Sequence, residues 1–312
     1  MNSFWLAFST VCPLLLLMSL GAVLRRVGLF TNDFLARLNA LCFRVFLPAV
    51  LFQNVYGNPF DFAADAGLLA YAAGAILVAF VVLYLVVPRL EKRRDRRGVI
   101  IQGGFRSNIV LFGLPISNTL FGADHAGTVA VLIAFVVPLF NVLSVIALER
   151  HRGERVKWSK MVGGIAKNPL VIAGVAGIIF AATGVRFPSV VDAAVLQVAQ
   201  VATPLALIAL GGSFSFSQTK ANGRPLFWTV ACKLVVLPAV FLGLAVALGY
   251  RGVELGALLA LFASPAAVSS FPMAEELGGD GELAGQIVAV GSAVSIVTLF
   301  AAVSVLGVFG WL

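Results

Sequence analysis

The sequence predicts an all-α polytopic membrane protein of ten transmembrane helices, arranged as two inverted five-helix repeats with broken crossover helices four and nine. Three observations carry that reading. The 312 residues are 60% hydrophobic and 12% charged, with a mean hydropathy of +1.01, more apolar surface than a soluble domain of this size could cover. Apolar runs long enough to cross a hydrocarbon core of about 30 Å recur from end to end. Prolines and glycines also recur at a nearly constant offset between the two halves.

The first run, 4–24, has no basic residue before it and Arg25 and Arg26 after it. That is the reverse of a secretory signal, so it reads as a first span with its N-terminus outside. Spans at 36–56 and 67–88 follow, closed by the basic run RLEKRRDRRG at 89–98. The fourth and fifth spans cover 99–121 and 127–148, and a short basic segment then leads to spans at 165–183, 190–212, 225–248, 253–274 and 283–309. The repeats therefore occupy 1–150 and 165–312, with a linker at 151–164.

Placing the N-terminus outside puts Arg25, Arg26, Arg37, the run at 89–98, the segment ERHRGERVKWSK with Lys167, and Lys220 and Arg224 on the cytoplasmic side. These hold seventeen of the 22 basic residues. Only Arg186 and Arg251 fall outside. This positive-inside bias predicts a plasma (inner) membrane protein with both termini extracytoplasmic.

The same distribution disposes of nucleic acid as a partner for the net charge of +8. The basic loops orient the chain and meet anionic headgroups of the bilayer. Cys12, Cys42 and Cys232 all fall in spans, with neither a disulfide framework nor a zinc spacing, and His125 and His151 lie in loops. No metal site or resident cofactor is expected. No acid–base pair or nucleophile constellation suggests an enzyme.

Self-comparison supplies the repeat. At an offset of 156, Pro13 and Leu14 match Pro169 and Leu170, Gly21 matches Gly177, Gly28 matches Gly184, Pro48 matches Pro204 and Leu51 matches Leu207. At 157, Phe105 matches Phe262, Ser107 matches Ser264, Pro115 matches Pro272 and Gly122 matches Gly279. Five spans per half is odd, so the second copy enters the membrane in the opposite sense. This is the plan of secondary transporters, which bind substrate near the midplane where broken helices meet.

The fourth span, GVIIQGGFRSNIVLFGLPISNTLFG, aligns with the ninth, GALLALFASPAAVSSFPMAEELGG. Each carries a proline past its middle, Pro115 and Pro272, and Pro265 adds a second break to the ninth. Proline removes a backbone donor, and unpaired backbone at membrane depth is tolerated only inside protein or against a watery cavity. Two matched breaks point to one shared cavity. The half-helix ends there suit a carboxylate, with Ser107, Asn108, Ser264, Ser269 and Ser270 as further donors.

Intramembrane charge is one-sided. Arg44, Arg106 and Lys233 sit seven to nine residues from their cytoplasmic ends, roughly 10–13 Å deep, and no Asp or Glu lies in the middle of a span. That disfavours a cation–proton exchanger and favours an anionic substrate. Snorkelling of the long stems is the competing explanation, strongest for Arg44 and Lys233 and weakest for Arg106 beside the break. Asn141 of the fifth span, and Gln53 and Asn54 of the second, suit helix–helix hydrogen bonding as well as ligand contact.

These residues resemble a known family. FLPAVLF at 46–52, SNIVLFGLPI at 107–116, PLFNVLSV at 138–145, KNPLVIAGVAGI at 167–178, TPLALIALGGSF at 203–214, KLVVLP at 233–238 and SPAAVSSFPMAEELGGDGELA at 264–284 look like the auxin efflux carrier family. It includes plant PIN-FORMED proteins and bacterial carriers assigned malonate or malate. The resemblance implies ten spans in two inverted repeats, an elevator-like movement of a transport domain past a scaffold, and organic acid anions as substrates.

By position, Asn108 fits the polar residue of the fourth-span crossover with Pro115 near it, and Pro265 with Ser269 and Ser270 occupies the ninth-span region. Pro265 stands where a second asparagine would face Asn108, so the arms are chemically unequal. Spans one, two, six and seven are the expected scaffold and the contact of a homodimer. Sodium, held by unwound carbonyls near 264–272, or a proton are the candidate coupling ions. A sodium-coupled symporter of the bile-acid type is the runner-up, and a non-transporting sensor or a channel the alternative from another class. A channel would show a continuous polar stripe, whereas polarity here is concentrated in two spans.

Overall fold

The computed structural model describes residues 3–56, 66–122, 126–152, 163, 166–214 and 222–312. His125, Lys220 and most of the expected cytoplasmic linker lie outside the described residues. Twelve helices are bounded within them, and no strand occurs among them: α1 (Ser3–Arg26), α2 (Asn32–Tyr56), α3 (Ala66–Leu90), α4 (Arg94–Phe105), α5 (Ile109–Phe121), α6 (Ala126–Arg150), α7 (Pro169–Thr183), α8 (Ser189–Ser213), α9 (Gly223–Ala247), α10 (Gly252–Ala263), α11 (Ser270–Glu276) and α12 (Gly281–Val308).

Local chemistry fixes several ends. Thr31 accepts from the Phe34 amide at 3.2 Å and opens α2. Asn168 accepts from Leu170 N at 2.9 Å, with Pro169 in the first turn of α7 and left-handed Gly184 (φ 68°) closing it. Asp280 caps α12 through the Leu283 amide at 3.0 Å.

Two helices contain a wide π turn, Cys42–Phe46 in α2 and Cys232–Val236 in α9. Each immediately precedes a Leu-Pro pair, Leu47-Pro48 and Leu237-Pro238. Proline cannot donate and crowds the carbonyl of the turn before it, and the ladder widens at that point. Leu47 N and Leu237 N reach back five residues, to Cys42 O and Cys232 O. The two wide turns carry Arg44 and Lys233.

Among the described residues, seven helices are long and apolar enough to cross a membrane, and α4 with α5 forms an eighth candidate, bent by 56° just before Pro115. The chain is therefore polytopic. The sixth and ninth of the expected spans are the short ones. α7 has 15 residues, and the ninth is divided into α10 and α11, of 12 and 7 residues.

Packing separates two groups of helices. α1 lies along α8, and α2 along α7 and α8, while α4 packs on α3, α6 and α12, and α10 on α5, α9 and α12. α1 also packs on α12, joining the groups. The α1–α8 contact is backbone to backbone: a Cβ at Gly211 would lie 1.9 Å from Met18 O, and one at Gly21 would lie 2.0 Å from Ile208 O. Only glycine permits that approach.

At the basic end of α4, Arg96 Nε pairs with Asp280 Oδ2 at 2.9 Å and Arg93 with the same oxygen at 3.4 Å. The Asp280 amide donates to Asp95 O at 2.9 Å. Asn222, also bonded to Arg96, donates to Gln286 Oε1 at 2.9 Å. This network ties α4, α9 and α12 into one body.

Candidate functional site

Both broken spans open at serine-containing stretches. α4 stops at Phe105, and Arg106, Ser107 and Asn108 follow before α5 begins; α10 stops at Ala263, and residues 264–269 precede α11. Helix ends leave donors and acceptors without intrahelical partners. Here the two breaks supply one another, because Asn108 N donates to Pro265 O at 2.9 Å. The Asn108 carbonyl in turn accepts from Leu111 and Phe112 as α5 starts. Pro265, with no donor of its own, thus serves as the acceptor in the crossing.

Arg106 lies against this crossing and is 4% exposed. Its guanidinium donates from Nη2 to Asn141 Oδ1 at 2.9 Å and to Ser269 Oγ at 2.6 Å, and from Nη1 to Met273 Sδ at 2.6 Å. Asn141 is itself oriented by donating from Nδ2 to Val137 O at 2.8 Å. Every one of these partners is neutral. Among the described residues no carboxylate pairs with Arg106.

Beside it is a cavity of about 60 Å³ lined by Arg106, Ser107, Asn108, Asn141 and Ser269. Its remaining walls are mostly apolar: Leu47, Val50 and Leu51 of α2 beside Asn54 of the same helix, Val137 and Phe140 of α6, Leu170 of α7, and Ala206 with Thr203 of α8. The cavity therefore lies between the α2–α7–α8 face and the crossing. Ser107 Oγ and Asn108 Nδ2 are buried and have no partner among the described residues. The first turn of α5 contributes Val110 and Leu111 to the wall, so the positive end of that helix faces the same space. The chamber is small and largely apolar, with hydrogen-bond donors and one cation converging at one end.

Of the residues singled out in the sequence, Asn54, Arg106, Ser107, Asn108, Asn141 and Ser269 meet at the cavity. Pro265 joins through its carbonyl. Ser264 donates back to Ala260 O inside its own helix, and Ser270 and Pro272 are buried in α11 away from the wall. Pro115 is exposed on α5. Lys233 is buried, but its Nζ points to Phe262 O, at 3.5 Å. Arg44 is also off the cavity, with a side chain 70% exposed, 3.4 Å from Glu276 Oε2.

The apolar walls from α2, α7 and α8 were not singled out as site residues, because a leucine facing a cavity is written like one facing lipid. Thr203 sits within TPLALIALGGSF, where a hydroxyl beside a proline at mid-span is a pointer, as Asn54 is in α2.

A family model described as "Membrane transport protein" matches residues 6–162 and 158–302. The chain is 24% identical over 297 residues to a protein of Rhizobium meliloti (strain 1021) named "Putative malonate transporter", covering 93% of this chain and 92% of that one. It is 20% identical over 292 residues to an "Uncharacterized transporter" of Methanothermobacter thermautotrophicus (strain ATCC 29096 / DSM 1053 / JCM 10044 / NBRC 100330 / Delta H), covering 93% of this chain and 95% of that one. Matched along almost its entire length, the chain belongs to the membrane transport protein family, that of the auxin efflux carriers.

Proposed function

We propose that this protein is a secondary carrier for a small organic anion bearing a carboxylate, bound where the fourth and ninth spans cross. The observation that carries the proposal is Arg106, a buried guanidinium that lines the cavity and whose partners among the described residues are all neutral. A buried charge lacking a counter-charge is costly. A substrate carboxylate would supply that charge and accept charge-assisted hydrogen bonds, the strong kind. Ser107 Oγ and Asn108 Nδ2 stand ready as further donors.

The one-sided charge at the cavity, with one guanidinium and several neutral donors, favours this reading over a cation-coupled site at the same place. The relative named for malonate supports a short dicarboxylate.

In this reading the ten spans form two inverted five-helix repeats with both termini outside the inner membrane. α1, α2, α7 and α8 serve as the scaffold and homodimer contact, and the crossing moves past them. The cavity's position between α2, α7 and α8 on one side and the crossing on the other supports an elevator-like movement, since sliding one wall carries the bound head with it.

The test is exchange in proteoliposomes loaded with malonate and presented with labelled mono- and dicarboxylates, with and without sodium or pH gradients. Short dicarboxylates should enter and compete with one another, and neutral amides of the same acids should not. Uptake of none of the acids, or equal uptake of the amides, would show the proposal wrong.

A further inference from the structure

One buried cation is left unused by the cavity. Lys233 is 2% exposed and, among the described residues, has no carboxylate partner. Snorkelling would have brought its ammonium to an interface. Instead Nζ donates to the carbonyl of Phe262, at 3.5 Å, in the last turn of α10 just before the chain breaks at Ser264. The last carbonyls of a helix lack intrahelical partners and carry partial negative charge. Within a membrane no bulk water is present to satisfy them.

In carriers built from broken helices, half-helix C-terminal ends and unwound carbonyls coordinate the coupling cation. The wide turn Cys232–Val236 brings Lys233 to such an end, and that turn packs on α10, α4 and α12. The substrate cavity does not include Lys233, so its charge acts on the helix end and not on the anion.

We propose that Lys233 is a tethered cation standing at the carbonyl end of α10 in place of a coupling sodium, so that the carrier cycles without an alkali cation. The proposal rests on the carrier reading above, but part of its test does not.

Two readouts are taken on the purified full chain: exchange of labelled malonate in proteoliposomes, and thermal unfolding in detergent. Each is measured in choline, sodium or methylammonium chloride at equal ionic strength. The wild type should exchange equally in choline and sodium and melt at the same temperature in both. Lys233→Ala in choline should lose about tenfold in exchange and melt several degrees lower, and sodium or methylammonium should restore both.

A wild type that requires sodium overturns the proposal. So does Lys233→Ala that matches wild type in choline, or that stays impaired in every small cation. If wild type exchanges no acid at all, the carrier reading fails, and the melting arm alone decides Lys233: recovery with a small cation sustains it, and none overturns it. If Lys233→Ala does not fold, Lys233→Arg and wild type decide. Sodium-independent behaviour of both sustains the proposal, and sodium dependence of either overturns it.

Discussion

In the proposed site the side chain at the centre is Arg106, and its planar fork matters as much as its charge. It spans Asn141, Ser269 and Met273, a spread that a lysine ammonium cannot cover. Arg106→Lys is therefore expected to fold and to bind malonate about tenfold more weakly, measurable by competition in the exchange assay. Asn108→Ala separates backbone from side chain. The crossing bond uses the Asn108 amide, which alanine retains, while Nδ2 has no partner to lose among the described residues. Melting should be unchanged within about 1 kcal/mol, while affinity falls by roughly tenfold, the value of one hydrogen bond to a charged group. At this scale the sequence was legible wherever polarity is anomalous. Arg106, Ser107, Asn108 and Asn141 stand out within apolar runs. Leu51 and Phe140 do not, because burial against lipid, core and cavity selects the same side chains.

Among the elements, the breaks and the small-residue contacts do the positioning. The break in the fourth span was expected near Pro115. In the structure the hydrogen-bonded ladder opens at residues 106–108, and Pro115 adds a bend further along. Proline marks a tendency to break. Where the ladder opens is set by the partner strand of backbone, here Pro265 O accepting from Asn108, and a single span contains no trace of that partner. The π turns were likewise invisible until the Leu-Pro pairs were seen beside them. Arg44, read as intramembrane with snorkelling as its alternative, is an exposed side chain pairing with Glu276, so Arg44→Gln should leave exchange within about twofold of wild type, since an exposed pair contributes under ~1 kcal/mol. The α1–α8 contact gives a sharper expectation. Gly211→Ala puts a Cβ against Met18 O and should destabilise by about 1–3 kcal/mol, lowering the melting temperature. Gly243→Ala, where a Cβ would meet nothing within 4 Å, is the control and should be neutral.

For the molecule as a whole, composition and charge distribution made a polytopic membrane protein plain from the sequence. Orientation is the part most open to direct measurement. Lys92 and Arg224 are exposed at the basic end, so Lys92→Cys and Arg224→Cys should react with an impermeant maleimide only after the membrane is opened, whereas Val185→Cys should react in intact cells. Reversed labelling would overturn the N-out topology and the positive-inside argument with it. The offset of 156 to 157 was legible because prolines and glycines resist substitution by anything of similar geometry. The cavity itself was not, since it is assembled from α2, α6, α7, α8 and both breaks, segments up to about 220 residues apart in the chain. Its purpose is settled by one comparison: malonate exchange by Arg106→Gln against wild type, in liposomes of matched protein content. With the counter-charge removed and the neighbours intact, exchange should fall about a hundredfold or more while the variant stays folded; a folded Arg106→Gln exchanging malonate at the wild-type rate would contradict an anion held by Arg106 at the crossing.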